Sequence, residues 1–205
     1  MEIEVLSFIE NQSENIKFLS DNNLMQFDQW IDNFLKDKIH SLKICFTGLR
    51  SQSLEWKFNE DCELCLKYKN KLKNTIEFCY KKGFRTFISG MALGFDMYAT
   101  EIVLALKEKD KNVKLVCFIP CTNQDLKWTG EYKKRYHEII NKADEIHYIS
   151  DKNYFNGCYQ IRNKKMVDCA DLVIAGYSKT NRGRGTKTTV EYALKQNQPV
   201  LVVEV

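Results

Sequence analysis

A chain of 205 residues with 44% hydrophobic content is long enough to bury one sizeable core, which predicts one main domain with an appendage. It has no apolar run near the roughly 18 residues that span a membrane and no signal-peptide start, so it reads as a cytoplasmic protein with no membrane partner. The net charge of +4 is unevenly spread: residues 1–40 hold eight acidic and three basic side chains, the remainder nineteen acidic and 28 basic. The basic part is therefore the main domain, which suits an anionic ligand.

Residues 1–41 predict a helical N-terminal extension. Its first forty residues contain no glycine or proline, and Phe27, Trp30, Ile31, Phe34 and Leu35 recur at helical spacing, with Asn23 or Asp28 as a candidate cap. Residues 42–205 alternate strand and helix. Strands are expected at Lys43–Thr47, Phe84–Ser89, Val113–Ile119, Glu145–Ser150, Leu172–Ala175 and Val200–Val205. Helices are expected at Asn59–Lys82, Phe95–Lys109, Asn123–Lys142, Tyr159–Cys169 and Thr188–Lys195. Short apolar strands separated by helices predict an α/β fold, a doubly wound, mostly parallel sheet covered on both faces, with Lys43–Thr47 near its middle.

The eight cysteines would suggest disulfides in a secreted chain. Here Cys45, Cys117 and Cys169 fall in or beside apolar segments without repeating spacing, as small core hydrophobes in a reducing compartment do. Cys62-x-x-Cys65 has no second ligand pair at comparable spacing, so two cysteines on one helix is the preferred reading and no metal is expected. Lys67, Lys69, Lys71 and Lys73 read as a solvated helix face. No aromatic-basic interleaving like a single-strand platform stands out in the chain, so a nucleic-acid partner is not favoured.

Ligands of such sheets bind beyond the carboxyl ends of the strands. Glycines, arginines and small hydroxyl residues concentrate there: Gly48-Leu49-Arg50, Ser89-Gly90-Met91-Ala92-Leu93-Gly94-Phe95-Asp96, and Arg182-Gly183-Arg184-Gly185-Thr186. Gly90 and Gly94 at a strand-to-helix corner would let backbone N–H groups face a phosphate. Asp96 would bond a ribose hydroxyl or cap the helix. Arg162 would grip a phosphate bidentately, and Arg50, Arg182 and Arg184 are further anion-binding candidates. Gln124 and Trp128, one helical turn apart, share a face, and Trp128 would stack on a base or cover the core.

Several blocks, Phe46-Thr47-Gly48-x-Arg50, Ile88-Ser89-Gly90 through Asp96, Ile119-Pro120 with Gln124 and Trp128, Tyr159-x-x-Arg162-Asn163-x-x-Met166-Val167-Asp168, and Gly185-Thr186 with Thr189-Val190, occur in one order that resembles the YpsA family. That family belongs to the SLOG superfamily of Rossmann-like domains, with the DNA-processing protein DprA and the Lonely Guy phosphoribohydrolases. The resemblance implies a Rossmann-like fold, a nucleotide-derived ligand and a homo-oligomer, for which the helix Asn59–Lys82 or the N-terminal segment offers a surface. Two positions depart from the pattern. Leu49 stands where the family usually has histidine, and Thr189 where the phosphoribohydrolases have a glutamate. Glu191 comes two positions later, roughly 200° further round a helix. Binding or sensing of a nucleotide-derived ligand is thus the leading reading, with a phosphoribohydrolase-like enzyme and a DprA-like nucleic-acid binder as alternatives. No catalytic residue is assigned.

Overall fold

The computed structural model describes residues 16–18, 24–36, 41–177 and 183–204. Strands β1 (Ile16–Phe18), β2 (Lys43–Gly48), β3 (Thr86–Ser89), β4 (Lys114–Ile119), β5 (Glu145–Tyr148), β6 (Leu172–Tyr177) and β7 (Val200–Glu204) form one sheet. Their order is β1-β7-β6-β2-β3-β4-β5 and each neighbouring pair is parallel. The helices are α1 (Leu24–Leu35), α2 (Glu63–Lys81), α3 (Phe95–Lys109), α4 (Gly130–Ile140), α5 (Cys158–Asp168) and α6 (Arg184–Lys195).

The period of two along each strand divides the apolar residues between two layers. Ile44, Phe46, Phe87, Leu115, Ile174 and Leu201 face one core with Leu72 and Ile76 of α2, Ala99 and Val103 of α3, and Ile139 of α4. Cys45, Ile88, Val116, Val173 and Val202 face the other, with Met166 and Val167 of α5 and Val190 and Leu194 of α6. Where the sheet is covered on both faces, as at β2, β3, β4, β6 and β7, its strands read as continuous apolar runs rather than alternating ones, whereas the edge strand β5 is exposed along its length. Burying a Phe or Leu of this kind contributes about 1.5–3 kcal/mol.

The expected doubly wound α/β fold is present, with β2 at the centre. Differences lie at the margins. Residues 16–18, inside the segment expected to be helical, extend the sheet as β1 against β7. In α1, Ile31 is fully buried in the first core, and Lys82 just past α2 bridges Asp28 at 2.7 Å and Asp32 at 2.6 Å. Asn23 and Arg182 lie outside the described residues. Helix α2 starts at Glu63 rather than Asn59, because the Cys62 side chain accepts the Cys65 N–H at 3.4 Å and so caps it. Helix α4 starts at Gly130 rather than Asn123. The preceding residues turn instead, with Leu126 N–H on Asn123 O at 3.2 Å and Trp128 N–H on Asp125 O at 3.0 Å. The Asn123 side chain is held there by the Tyr154 N–H at 2.7 Å. Gln124 and Trp128 therefore do not share a helix face.

From β2 the chain runs through β3, β4 and β5 to one side, while β6 and β7 lie on the other. The carboxyl ends of β2 and β6 thus flank the topological switch point, where open α/β sheets form a crevice. Among the described residues no helix is long and apolar enough to cross a membrane.

Candidate functional site

The corner between β3 and α3 is closed upon itself. Met91 N–H donates to Ser89 Oγ at 3.1 Å, Ala92 N–H to Asp96 Oδ2 at 3.3 Å, and Phe95 N–H to Leu49 O at 3.1 Å. Three amides expected to face a phosphate therefore have partners within the protein. Gly94 has φ +99°, and a Cβ there would lie 2.6 Å from Ser51 N and 2.7 Å from Leu49 O. It lets the 49–51 loop and the helix start touch, an approach recorded as an Arg50–Gly94 bridge. Ser89 is fully buried, and Asp96 is 6% exposed. Burial pushes the Asp96 carboxyl up, opposed first by the Arg162 charge and then by the Ala92 amide.

Arg162 sits in the second turn of α5 and is only 4% exposed. Its Nη1 donates to the Gly90 carbonyl. Gly90 is glycine for that reason, since a Cβ would fall inside the guanidinium. Nε is buried without a partner. Asp96 acts on Arg162 as a countercharge without a hydrogen bond, and burial pulls the guanidinium pKa down. The Tyr159 ring lies 5.9 Å from its central carbon. A buried cation with so few partners is costly, by several kcal/mol as a rule.

Across the crevice, α6 begins at Arg184 with Gly183, which has no side chain to serve as a cap, at its N-cap. Among the described residues, a Cβ at Gly185 would meet nothing within 4 Å. None of them needs glycine there for packing, although it weakens a helix relative to alanine. Thr186 is buried. One turn on, Thr189 Oγ1 donates to Gly185 O at 2.8 Å and accepts from Asn163 Nδ2 at 2.8 Å. Glu191 lies instead 3.8 Å from Lys187.

These elements enclose a cleft of about 210 Å³. Gly48, Arg50, Asp96, Arg162, Gly183, Arg184, Gly185 and Thr186 line it, as do Tyr159 and Asn163. Asp96 is the one carboxylate among the described lining residues. Ser89, Gly90 and Gly94 are absent from the lining and shape the wall from behind. Gln124 and Trp128 line a neck beside the cleft, which shares Arg50, Ala92 and Tyr159 with it. Tyr159 and Asn163 belong to a motif block read from the sequence but were not among the expected ligand-binding residues. Their i, i+3, i+4 spacing with Arg162 would have found them once the arginine was placed on a helix.

An all-parallel, doubly wound sheet with a cationic cleft over its switch point defines a Rossmann-like domain. Residues 44–205 match the family profile described as the YspA SLOG family, and the chain belongs to that YpsA family. It is similar to the uncharacterized SPbeta prophage-derived protein YoqJ of Bacillus subtilis, 33% identical over 63% of this chain and 82% of the relative. A UPF0398 protein of Brevibacillus brevis is 34% identical over 47% of this chain, which spans 51% of that relative. Two solved structures share the fold. DNA processing protein A of Helicobacter pylori, which binds single-stranded DNA, has a TM-score of 0.54 at 21% identity, over 78% of this chain and 64% of that one. DprA of Streptococcus pneumoniae has a TM-score of 0.53 at 18% identity, over 83% and 51%.

Proposed function

We propose that the cleft binds a nucleotide-type ligand by its anionic group, and that the protein acts as a binding or sensing domain. The observation that carries this reading is Arg162, buried beside the cleft with Nε unpartnered and a single hydrogen bond to Gly90. An anion with two or three oxygens would supply the partners that the chain withholds. The start of α6 lines the cleft and adds the positive end of a helix dipole, and none of the described residues stands within 4 Å of where a Gly185 Cβ would be.

The hydrolase reading is less well supported. Thr189 stands where a carboxylate would be needed, and it is tied between Gly185 and Asn163. Glu191 pairs with Lys187 instead. Binding without turnover is therefore the expected chemistry. The proposal extends to self-association in the cytoplasm, for which α2 offers Leu64 and Leu66, 41% and 53% exposed. Light scattering that gives a monomer at high concentration would end that part.

Calorimetric titration with nucleoside monophosphates tests the central claim. Arg162→Ala should weaken binding by about 1.5–3 kcal/mol, the worth of a charged hydrogen bond. Equal affinity in the variant would overturn the reading. Release of free base, abolished by Glu191→Gln, would identify an enzyme instead. A steep fall of oligonucleotide affinity with salt, with no mononucleotide binding, would favour the nucleic-acid alternative.

A further inference from the structure

The neck beside the Arg162 cleft opens into a larger groove of about 760 Å³. Its walls are rings. Phe58 and Tyr132 lie 5.4 Å apart between centroids, Tyr154 and Tyr159 5.8 Å apart, and Trp128 completes the set. Phe58 is 47% and Tyr154 56% exposed, so the fold leaves much of this aromatic surface in water. Arg50 stands in the neck with its guanidinium 4.8 Å from the Tyr159 centroid.

Gln124 lines both neck and groove and is only 7% exposed. Its Nε2 donates to Met91 O at 2.6 Å and to Gly90 O at 3.3 Å. Carbonyl oxygens only accept, so these two partners settle which end of the amide faces them. Turned round, the side chain would set oxygen against two oxygens. Oε1 is thereby left as the free end, and it is buried without a hydrogen-bond partner. A buried acceptor of this kind is costly until a donor reaches it. Any group that satisfies Oε1 must bring an N–H or O–H.

We infer that the groove is the ring subsite of the same ligand, and that Gln124 determines its specificity by accepting from an exocyclic amine on a flat heterocycle. The inference rests on the anionic anchoring proposed above and adds the other end of the ligand. Continuity argues for one ligand rather than two, since Arg50 and Tyr159 line the cleft, the neck and the groove. Aromatic walls suit a ring that stacks, and they tolerate every base. The fixed polarity of Gln124 is what selects among them. An amino-bearing base satisfies Oε1, whereas the matching oxo base sets a carbonyl oxygen against it.

The test compares adenosine, cytidine and guanosine 5′-monophosphates with inosine, uridine and xanthosine 5′-monophosphates on the full chain, with inorganic phosphate as the probe of the anchor alone. In at least one pair the amino member should bind about 10-fold or more tightly. Gln124→Met should bring that ratio to about one, a comparison within the variant that any change at the shared Gly90 carbonyl leaves valid. Ratios near one in every pair for the unmodified protein would overturn the inference, as would a preference that survives in Gln124→Met. Phosphate binding without binding of any monophosphate also overturns it. If Arg162→Ala leaves phosphate binding intact, it is the anchor that fails, and the two failures are separable.

Discussion

The β3–α3 corner and the start of α6 contrast two uses of glycine at helix N-termini on the carboxyl side of one sheet. At β3–α3, glycine serves the protein. Gly90 makes room for Arg162, Gly94 lets two backbone segments touch, and the nearby amides donate to Ser89, Asp96 and Leu49. At α6, none of the described residues lies within 4 Å of where a Gly185 Cβ would be, and the N-cap is itself a glycine. In sequence the two look alike, and the first has the stronger motif. A glycine-rich corner is thus evidence of close approach, while what approaches is decided by which amides already have partners.

Substitution at the glycines is the sharpest way to break this contrast. Gly94→Ala forces a Cβ against the rigid backbone of Ser51 and Leu49 at a positive φ. It should cost about 3 kcal/mol or more in chemical denaturation. Wild-type stability in that variant would mean that the corner yields. Next in size is Arg162→Met, expected to reduce phosphate affinity by about 1.5–3 kcal/mol. Asp96 loses its countercharge in that variant, so stability is compared in an Asp96→Asn background, where a large drop in melting temperature on adding Arg162→Met would show that Arg162 is structural. Gly185→Ala should go the other way from Gly94→Ala. It should raise unliganded stability by up to about 0.5–1 kcal/mol, since alanine is the better helix residue, while weakening the binding of the anion. Stability and affinity falling together would erase the distinction between the corners.

The smallest expected effect concerns pH. Burial raises the Asp96 carboxyl above its unfolded value. Its favourable contribution to stability is therefore present when it is protonated, and is lost as pH rises through the folded pKa. Asp96→Asn should raise the melting temperature at neutral pH, with the gain shrinking as pH falls toward the ordinary carboxylate range. A gain of the same size at every pH would mean that ionisation is not its cause.

Much of the fold was legible because its signals are local. Apolar runs ended by Gly48 and Pro120, and helical spacing in residues 95–109, each state their own structure within a few residues. Misplaced elements are those whose state depends on a distant partner. Residues 16–18 become a strand by pairing with β7, and residues 123–129 turn rather than coil because Tyr154 holds Asn123. The same division runs through the site. Arg162, Arg184 and Gly185 could be proposed from their place in the chain, whereas Tyr159 and Asn163 became visible as lining residues only with the cleft.

By itself the sequence determined the alternation of strands and helices, the central place of β2, and the end of the sheet where arginines and glycines gather. Hydrophobic period, breakers and the order of motifs along the chain are sufficient for that. Only the tertiary structure decided that the β3–α3 corner is closed by its own hydrogen bonds, that Arg162 is buried over Gly90, and which end of the Gln124 amide lacks a partner. These depend on hydrogen bonds between residues far apart in the chain, such as Arg162 with Gly90 and Gln124 with Met91. A donor or acceptor carries no sign in the sequence of whether it has already been satisfied.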